Sequence, residues 1–201
     1  MSGGVASAAI GIPGDITLGI IAGGRATRLG GRDKAWLQRG GEAQVLRWRR
    51  RFAPEVAAIL VSSNRDGERL AAEGLAAVPD RIAGAGPMSA LDALARACTT
   101  PWLFTVPVDL VGVNDCLVQS LAAVAGDTGA FAEDDDGPQP LVALWRVDRL
   151  RAAADAALDG RRLQVQALQA GLGMTPLRLS GVRFGNLNTP EDLASAGFDP
   201  S

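Results

Sequence analysis

The chain reads as an α/β protein: a mostly parallel central sheet with helices on both faces. Three observations predict it. Short, almost wholly apolar runs recur along the 201 residues, at Thr17 to Ala22, Val56 to Val61 and Trp102 to Val108. Such runs suit strands covered on both faces. Helix-period segments alternate with them, the order that gives parallel sheets. The first run also empties into a loop, residues 23 to 34, with four glycines, three arginines and a terminal lysine.

Residues 1 to 15 are small and Gly-rich without a basic start, and are expected to be a flexible tail ahead of one domain over 16 to 201. After the first strand and its glycine loop, residues Ala43 to Phe52 have helical composition. Within it Arg47, Arg49, Arg50 and Arg51 read mostly as a solvated face, with a grip on an anionic acceptor or a partner as the other reading. The strand Val56 to Val61 ends in Ser62-Ser63-Asn64-Arg65, polar residues at the carboxyl end where open α/β sheets bind ligands. A short helix, Glu68 to Glu73, and a strand, Leu75 to Val78, lead to Pro79-Asp80-Arg81. Pro87 then opens a helix to Ala97 whose apolar residues recur at three- and four-residue spacing. The central strand Trp102 to Val108 delivers Asp109 at its carboxyl end.

Asn114 is expected to cap a helix over Asp115 to Val124. Gly129 to Ala132 reads as a short strand, and the acids Glu133 to Asp136 before Gly-Pro as a solvated turn, a metal cluster being the alternative. Leu141 to Trp145 is another strand, followed by helices near Asp148 to Leu158 and Leu163 to Ala170. Thr175 to Leu179 carries Pro176 and belongs at a sheet edge. Near the end, Thr189 as N-cap, Pro190 at the first helical position and two acids mark a helix start. If the preceding residues are extended, Asn186 and Asn188 share one face and both can meet a ligand.

The chemistry is narrowed by what is missing. The chain has no histidine and a formal charge of −2. That removes His-based triads and His-ligated zinc, and a large positive field for coating nucleic acid. Cys98 and Cys116 form no metal or redox spacing and are expected as buried free thiols in a reducing cytoplasm. No apolar run reaches the roughly 18 residues of a membrane span. The glycine loop is a phosphate cradle by composition, because glycine admits close backbone approach and N–H groups and cations hold anions. It lacks the Gly-Lys-Ser/Thr of a P-loop and the G-x-G-x-x-G of a dinucleotide fold.

Five features stand in order: IAGGRATRLGGRDK, SSNR, VPD before GAGPMSAL, PVDL, and NLNTPEDL. Together they resemble the molybdenum cofactor guanylyltransferases, the MobA-like branch of the NTP-transferase superfamily, over about residues 16 to 195. The resemblance implies a Rossmann-like sheet of the nucleotide-diphospho-sugar transferase type. It implies a cytoplasmic enzyme moving GMP from GTP to the terminal phosphate of molybdopterin, with Mg²⁺ as cofactor. On the residues of this chain, it implies nucleotide contacts at Ile21, Ala22, Gly23, Gly24, Lys34, Ser62, Asp80 and Asp109. Ser62 stands where some members carry an asparagine. It further implies Asp109 as the metal ligand, catalytic work by Lys34, Asp109 and Arg28, and pterin contacts at Asn186 and Asn188. Transient contacts with molybdenum insertion proteins and molybdoenzyme chaperones would follow, with no nucleic acid or membrane partner. The alternatives are a cytidylyltransferase on the same cofactor and a non-catalytic pterin or nucleotide carrier. A sugar-1-phosphate nucleotidyltransferase is disfavoured by the little room for acceptor-binding segments.

Overall fold

The computed structural model describes residues 13–23, 33–113 and 115–199. Gly24, Arg28 and the expected cap Asn114 lie outside them. Pro13–Asp15, assigned above to the tail, form a 3-10 turn that leads directly into the first strand.

In chain order the elements are β1 (Ile16–Ile21), β2 (Gln38–Arg39), β3 (Glu42–Ala43), α1 (Gln44–Phe52), β4 (Ala58–Ser62), α2 (Gly67–Ala72), β5 (Ala76–Val78) and α3 (Pro87–Ala97). Then come β6 (Trp102–Pro107), β7 (Leu110–Val111), α4 (Leu117–Val124), β8 (Gly129–Asp134), β9 (Gly137–Arg146) and α5 (Val147–Asp159). The chain closes with α6 (Val165–Leu172), β10 (Thr175–Arg178), β11 (Gly185–Asn186) and α7 (Pro190–Ser195).

Seven strands form one sheet in the order β10-β8-β9-β6-β1-β4-β5. Its pairs are parallel except those made by β9, which runs against β6 and β8. The sheet is therefore mostly parallel, as the alternation predicts. From β1 the chain moves outward through β4 to β5, then returns to place β6 on the other side of β1. The carboxyl ends of β1 and β6 thus flank the switch point where such sheets bind ligands.

Side chains alternate across the sheet. Leu18, Ile20, Phe104 and Val106 join one core with Val45, Trp48 and Phe52 of α1 and Leu117 and Leu121 of α4. Phe52 meets Phe104 edge-on at 5.1 Å. Leu103 and Trp145 join the other core with Met88, Leu91 and Leu94 of α3, Leu150 of α5 and Leu168 of α6. Gly19 breaks the apolar run of β1 for a packing reason: a Cβ there would sit 3.0 Å from Leu94 and 3.1 Å from Leu103. In the second core Thr105 keeps two polar groups bonded, donating to the Leu141 carbonyl at 2.8 Å and accepting from Trp145 Nε1 at 2.9 Å.

Three expectations are corrected. The run Glu133–Asp136 is not a wholly solvated turn: β8 continues through Asp134, which is fully buried. The β9 strand is twice as long as its apolar centre, because Gly137, Pro138 and Gln139 also pair with β8. Both cysteines are free, but only Cys98 is buried; Cys116 is exposed in the turn before α4. Pro176 does sit on an edge strand, β10. Among the described residues no helix is long and apolar enough to cross a membrane.

Candidate active site

Lys34 begins a 3-10 turn, Lys34–Trp36, whose first residue is fixed by Asp33 capping the Ala35 N–H at 2.9 Å. Its ammonium donates to Asp109 Oδ2 at 2.6 Å and to Asn188 Oδ1 at 2.8 Å. Three residues separated by 75 and 154 positions in the chain therefore meet at one nitrogen. Lys34 and Asp109 are each about one-fifth exposed, so water reaches the pair without dissolving it.

Asp109 is carried past the end of β6. Val108 donates its N–H to the Ile21 carbonyl at 3.0 Å, which extends the central pairing by one residue. The Asp109 carbonyl accepts from Leu187 N–H at 2.9 Å, and β7 then pairs antiparallel with β11, Leu110 opposite Asn186 and Val111 opposite Gly185. Gly185 is required by this approach, since a Cβ there would lie 2.7 Å from Val111 Cγ2. Underneath, Leu187 packs with Leu37, Leu193 and Phe198 in a small third core.

Asn188 is held from the helix side. Thr189 and Asp192 form a reciprocal capping box at the start of α7. The Asp192 carboxylate accepts from Asn188 N–H at 3.0 Å and Thr189 N–H at 2.8 Å. Those backbone bonds, with a smaller contribution from Lys34, hold it below the usual carboxylate range. Asn186 is exposed and makes no side-chain hydrogen bond among the described residues. The stretch is not simply extended: Asn188 N–H bonds the Asn186 carbonyl at 3.0 Å, a tight turn that separates the two asparagines. Only Asn188 is brought to Lys34.

Across the switch point, Ser62 is buried at the end of β4, where Ala22 N–H donates to its carbonyl at 3.1 Å. The carbonyl of Ala22 and the backbone of Gly23 have no backbone partner among the described residues. Ser62 Oγ donates to Asp80 Oδ1 at 3.4 Å, a long contact. The stronger partner of Asp80 is Asn64: its Nδ2 donates to Asp80 Oδ2 at 2.9 Å, and its Oδ1 accepts from Asp80 N–H at 2.8 Å. Asn64 is thus the asparagine beside the strand-end aspartate, two residues past Ser62. The polar tail SSNR was its only signal in the sequence.

Two other acids titrate away from the usual carboxylate range, in opposite directions. Asp33 is pushed up to about 6, first by desolvation and then by its hydrogen bond with Asp66, whose charge adds to the effect. Asp134, at the far end of β8, would be raised by burial, but hydrogen bonds from Phe184 N–H, Gln139 and the Asp136 and Gly137 N–H groups outweigh that and hold it low.

Arg47, Arg50 and Arg51 of α1 line a cleft of about 250 Å³ with Arg39, Trp48, Leu110 and Val111. Most of their charge is already matched: Arg50 forks onto Glu42 at 2.9 Å, and Arg51 meets Glu55 at 2.5 Å and Asp115 at 3.3 Å. Among the described residues there is no cluster of three or more Asp, Glu, Cys or His side chains able to cage a metal. Asp109 offers a single carboxylate, which suits Mg²⁺ because that ion is commonly held by one or two carboxylates, water and substrate phosphates.

The family model of the MobA-like NTP transferase domain matches residues 18–172. Molybdenum cofactor guanylyltransferases of Yersinia pseudotuberculosis serotype O:1b and of Yersinia pestis are each 30% identical to the chain over 182 residues, covering 89% of it and 93% of their own length. Among solved structures, the molybdopterin-guanine dinucleotide biosynthesis protein A of Archaeoglobus fulgidus superposes with a TM-score of 0.69 at 16% identity, covering 90% of this chain and 96% of its own. The 2-C-methyl-D-erythritol 4-phosphate cytidylyltransferase of Thermus thermophilus gives 0.66 at 19%, covering 89% and 96%. These two likenesses carry the Rossmann-like nucleotidyltransferase fold. With most of its length matched by the family model, the chain belongs to the MobA-like NTP transferases.

Proposed function

We propose that this nucleotidyltransferase moves GMP from GTP to the terminal phosphate of molybdopterin, yielding the guanine dinucleotide cofactor and pyrophosphate. The observation that carries the reading is the meeting of Lys34, Asp109 and Asn188 at the switch point of the sheet. The names of the 30% identical relatives supply the substrate pair.

In this reading an oxygen of the acceptor phosphate attacks the α-phosphorus of GTP. The bond from that phosphorus to the β-phosphate oxygen breaks, and its electron pair leaves with pyrophosphate. The attacking oxygen is already anionic, so no side chain need take a proton, and a site without histidine suffices. What remains is positioning and charge neutralisation. Lys34 transfers its ammonium from Asp109 to the triphosphate, with Arg28 and the N–H groups of the glycine loop as further donors. Asp109 would hold Mg²⁺, which when bound neutralises phosphate charge as a Lewis acid. Asp80, braced by Asn64 and Ser62, faces the nucleotide together with the backbone of Ile21, Ala22, Gly23 and Gly24. Asn188 and Asn186 meet the pterin.

The test is pyrophosphate release from each of the four NTPs with Mg²⁺ and molybdopterin. GTP alone should be consumed, and only when acceptor and Mg²⁺ are both present. Consumption of CTP instead would make the chain a cytidylyltransferase. Tight binding of GTP or pterin without turnover would make it a carrier.

A further inference from the structure

The acidic run at the end of β8 has no place in the transfer chemistry, yet one of its members is a fully buried carboxylate. Asp134 is 0% exposed. No arginine or lysine among the described residues pairs with its carboxylate; all its bonded donors are neutral. Oδ2 accepts from Phe184 N–H at 2.7 Å, while Oδ1 accepts from Asp136 N–H at 3.0 Å and Gln139 Nε2 at 3.2 Å. Burying a carboxylate among neutral donors is costly unless each bond is well made. An apolar residue would fill the space more cheaply.

The neighbours of Asp134 hold the same length of chain. Leu179 N–H donates to the Glu133 carbonyl at 2.7 Å and Asp135 N–H to the Val182 carbonyl at 2.9 Å. Arg178 donates to the Asp134 carbonyl at 2.7 Å, and Arg183 pairs with Asp136 at 3.1 Å. Residues 178 to 184 are therefore laid along the acidic run, and the Phe184 bond is the last one before the chain leaves it. The next residue is Gly185, pressed against Val111, and the one after is Asn186, opposite Leu110.

We propose that Asp134 is a positioning residue: through Phe184 it sets the depth of the Asn186–Asn188 segment against Asp109 and Lys34, and so governs use of the acceptor. Its assignment to the acceptor rests on the function proposed above; its control of the segment does not. The acidic run is a clamp: its bonds to residues 178 to 184 hold the chain that leads into the asparagines.

Two readouts test this on the full chain. Asp134→Ala is expected to speed amide hydrogen exchange over residues 184 to 188 by at least about tenfold, on the scale of one lost charge-assisted bond, with β1 and β6 unchanged. The acceptor KM should rise by a similar factor while the nucleotide KM stays within about twofold. Asp134→Asn should recover only part of both: its amide oxygen can still accept from Phe184 and Gln139 can turn its own oxygen to the new NH₂, but the Asp136 N–H loses its acceptor. If Asp134→Ala does not fold, Arg178→Ala, which loosens the same loop from the surface, should give the same pattern at about threefold. Unchanged exchange at 184 to 188, or equal acceleration in β1 and β6, would overturn the clamp. If the wild-type chain does not use a pterin acceptor, the functional reading fails and the exchange result alone decides the clamp. Equal losses for both substrates would also overturn it.

Discussion

On the β4 and β5 side of the switch point, the candidate site is made by residues at or just past strand ends, Ser62, Asn64 and Asp80, which bond one another across two adjacent parallel strands. On the β6 and β7 side, Asp109 is built into a stack of long-range supports: the β7–β11 pair, the Leu187 core, the Asp192 cap and the Asp134 clamp. The first bank needs only the sheet. The second needs five separate segments to arrive together, so its failures should be larger and more cooperative.

The steepest loss should come where the banks converge. Asp109→Asn and Lys34→Ala are each expected to lower turnover by about 10²-fold or more, the scale of removing a preorganised electrostatic contact. Steady-state pyrophosphate release measures it, and near-normal rates in either variant would remove that residue from the chemistry. Next in size, Gly185→Ala should destabilise the fold by about 1–3 kcal/mol through overpacking on Val111. A urea midpoint equal to wild type would show that the β7–β11 contact is slack. For Asn188→Ala a roughly tenfold loss in acceptor use is expected, the scale of one lost hydrogen bond to a charged group. Asn186→Ala should lose less, because Asn186 makes no bond to Lys34; the reverse ranking would exchange their roles.

The smallest effect concerns pH. The Asp33 carboxyl titrates at about 6 in the folded chain against 3.8 in the unfolded one. The folded state therefore binds the proton more tightly, and stability falls as pH rises from about 3.8 through 6. Asp33→Asn, which keeps the cap, should raise the melting temperature slightly at pH 8 and leave it unchanged at pH 4. Screening limits the gain, since the residue still meets solvent despite the partial burial that raises its pKa. A larger gain at pH 4 than at pH 8 would contradict the assignment.

The first bank was largely legible in the sequence, because apolar runs mark strands and the residue after a run marks the ligand edge. Asp109, on the second bank, was found that way, Asp80 through the family resemblance, and the Thr189 cap by its own local grammar. Asn64 was hidden by its place in a polar tail, where no periodicity singles out one residue. The second bank was hidden more deeply. Asp134 sits in a run of acids that any local reading puts in water, yet it is buried and bonded by a partner 50 residues away. The same holds for Gly185, an unremarkable glycine until Val111 is placed against it. Pairing between distant short strands leaves no local signal, so β7 and β11 had none.

The division of labour between the banks is tested most directly by crossed kinetics on one variant from each, Asn64→Ala and Asn188→Ala, with nucleotide and acceptor varied in turn. Asn64→Ala should raise the nucleotide KM by about tenfold, the cost of unpairing Asp80, and leave the acceptor KM within about twofold. Asn188→Ala should do the opposite. Both variants raising the same KM, or each raising both equally, would contradict a site built in two halves.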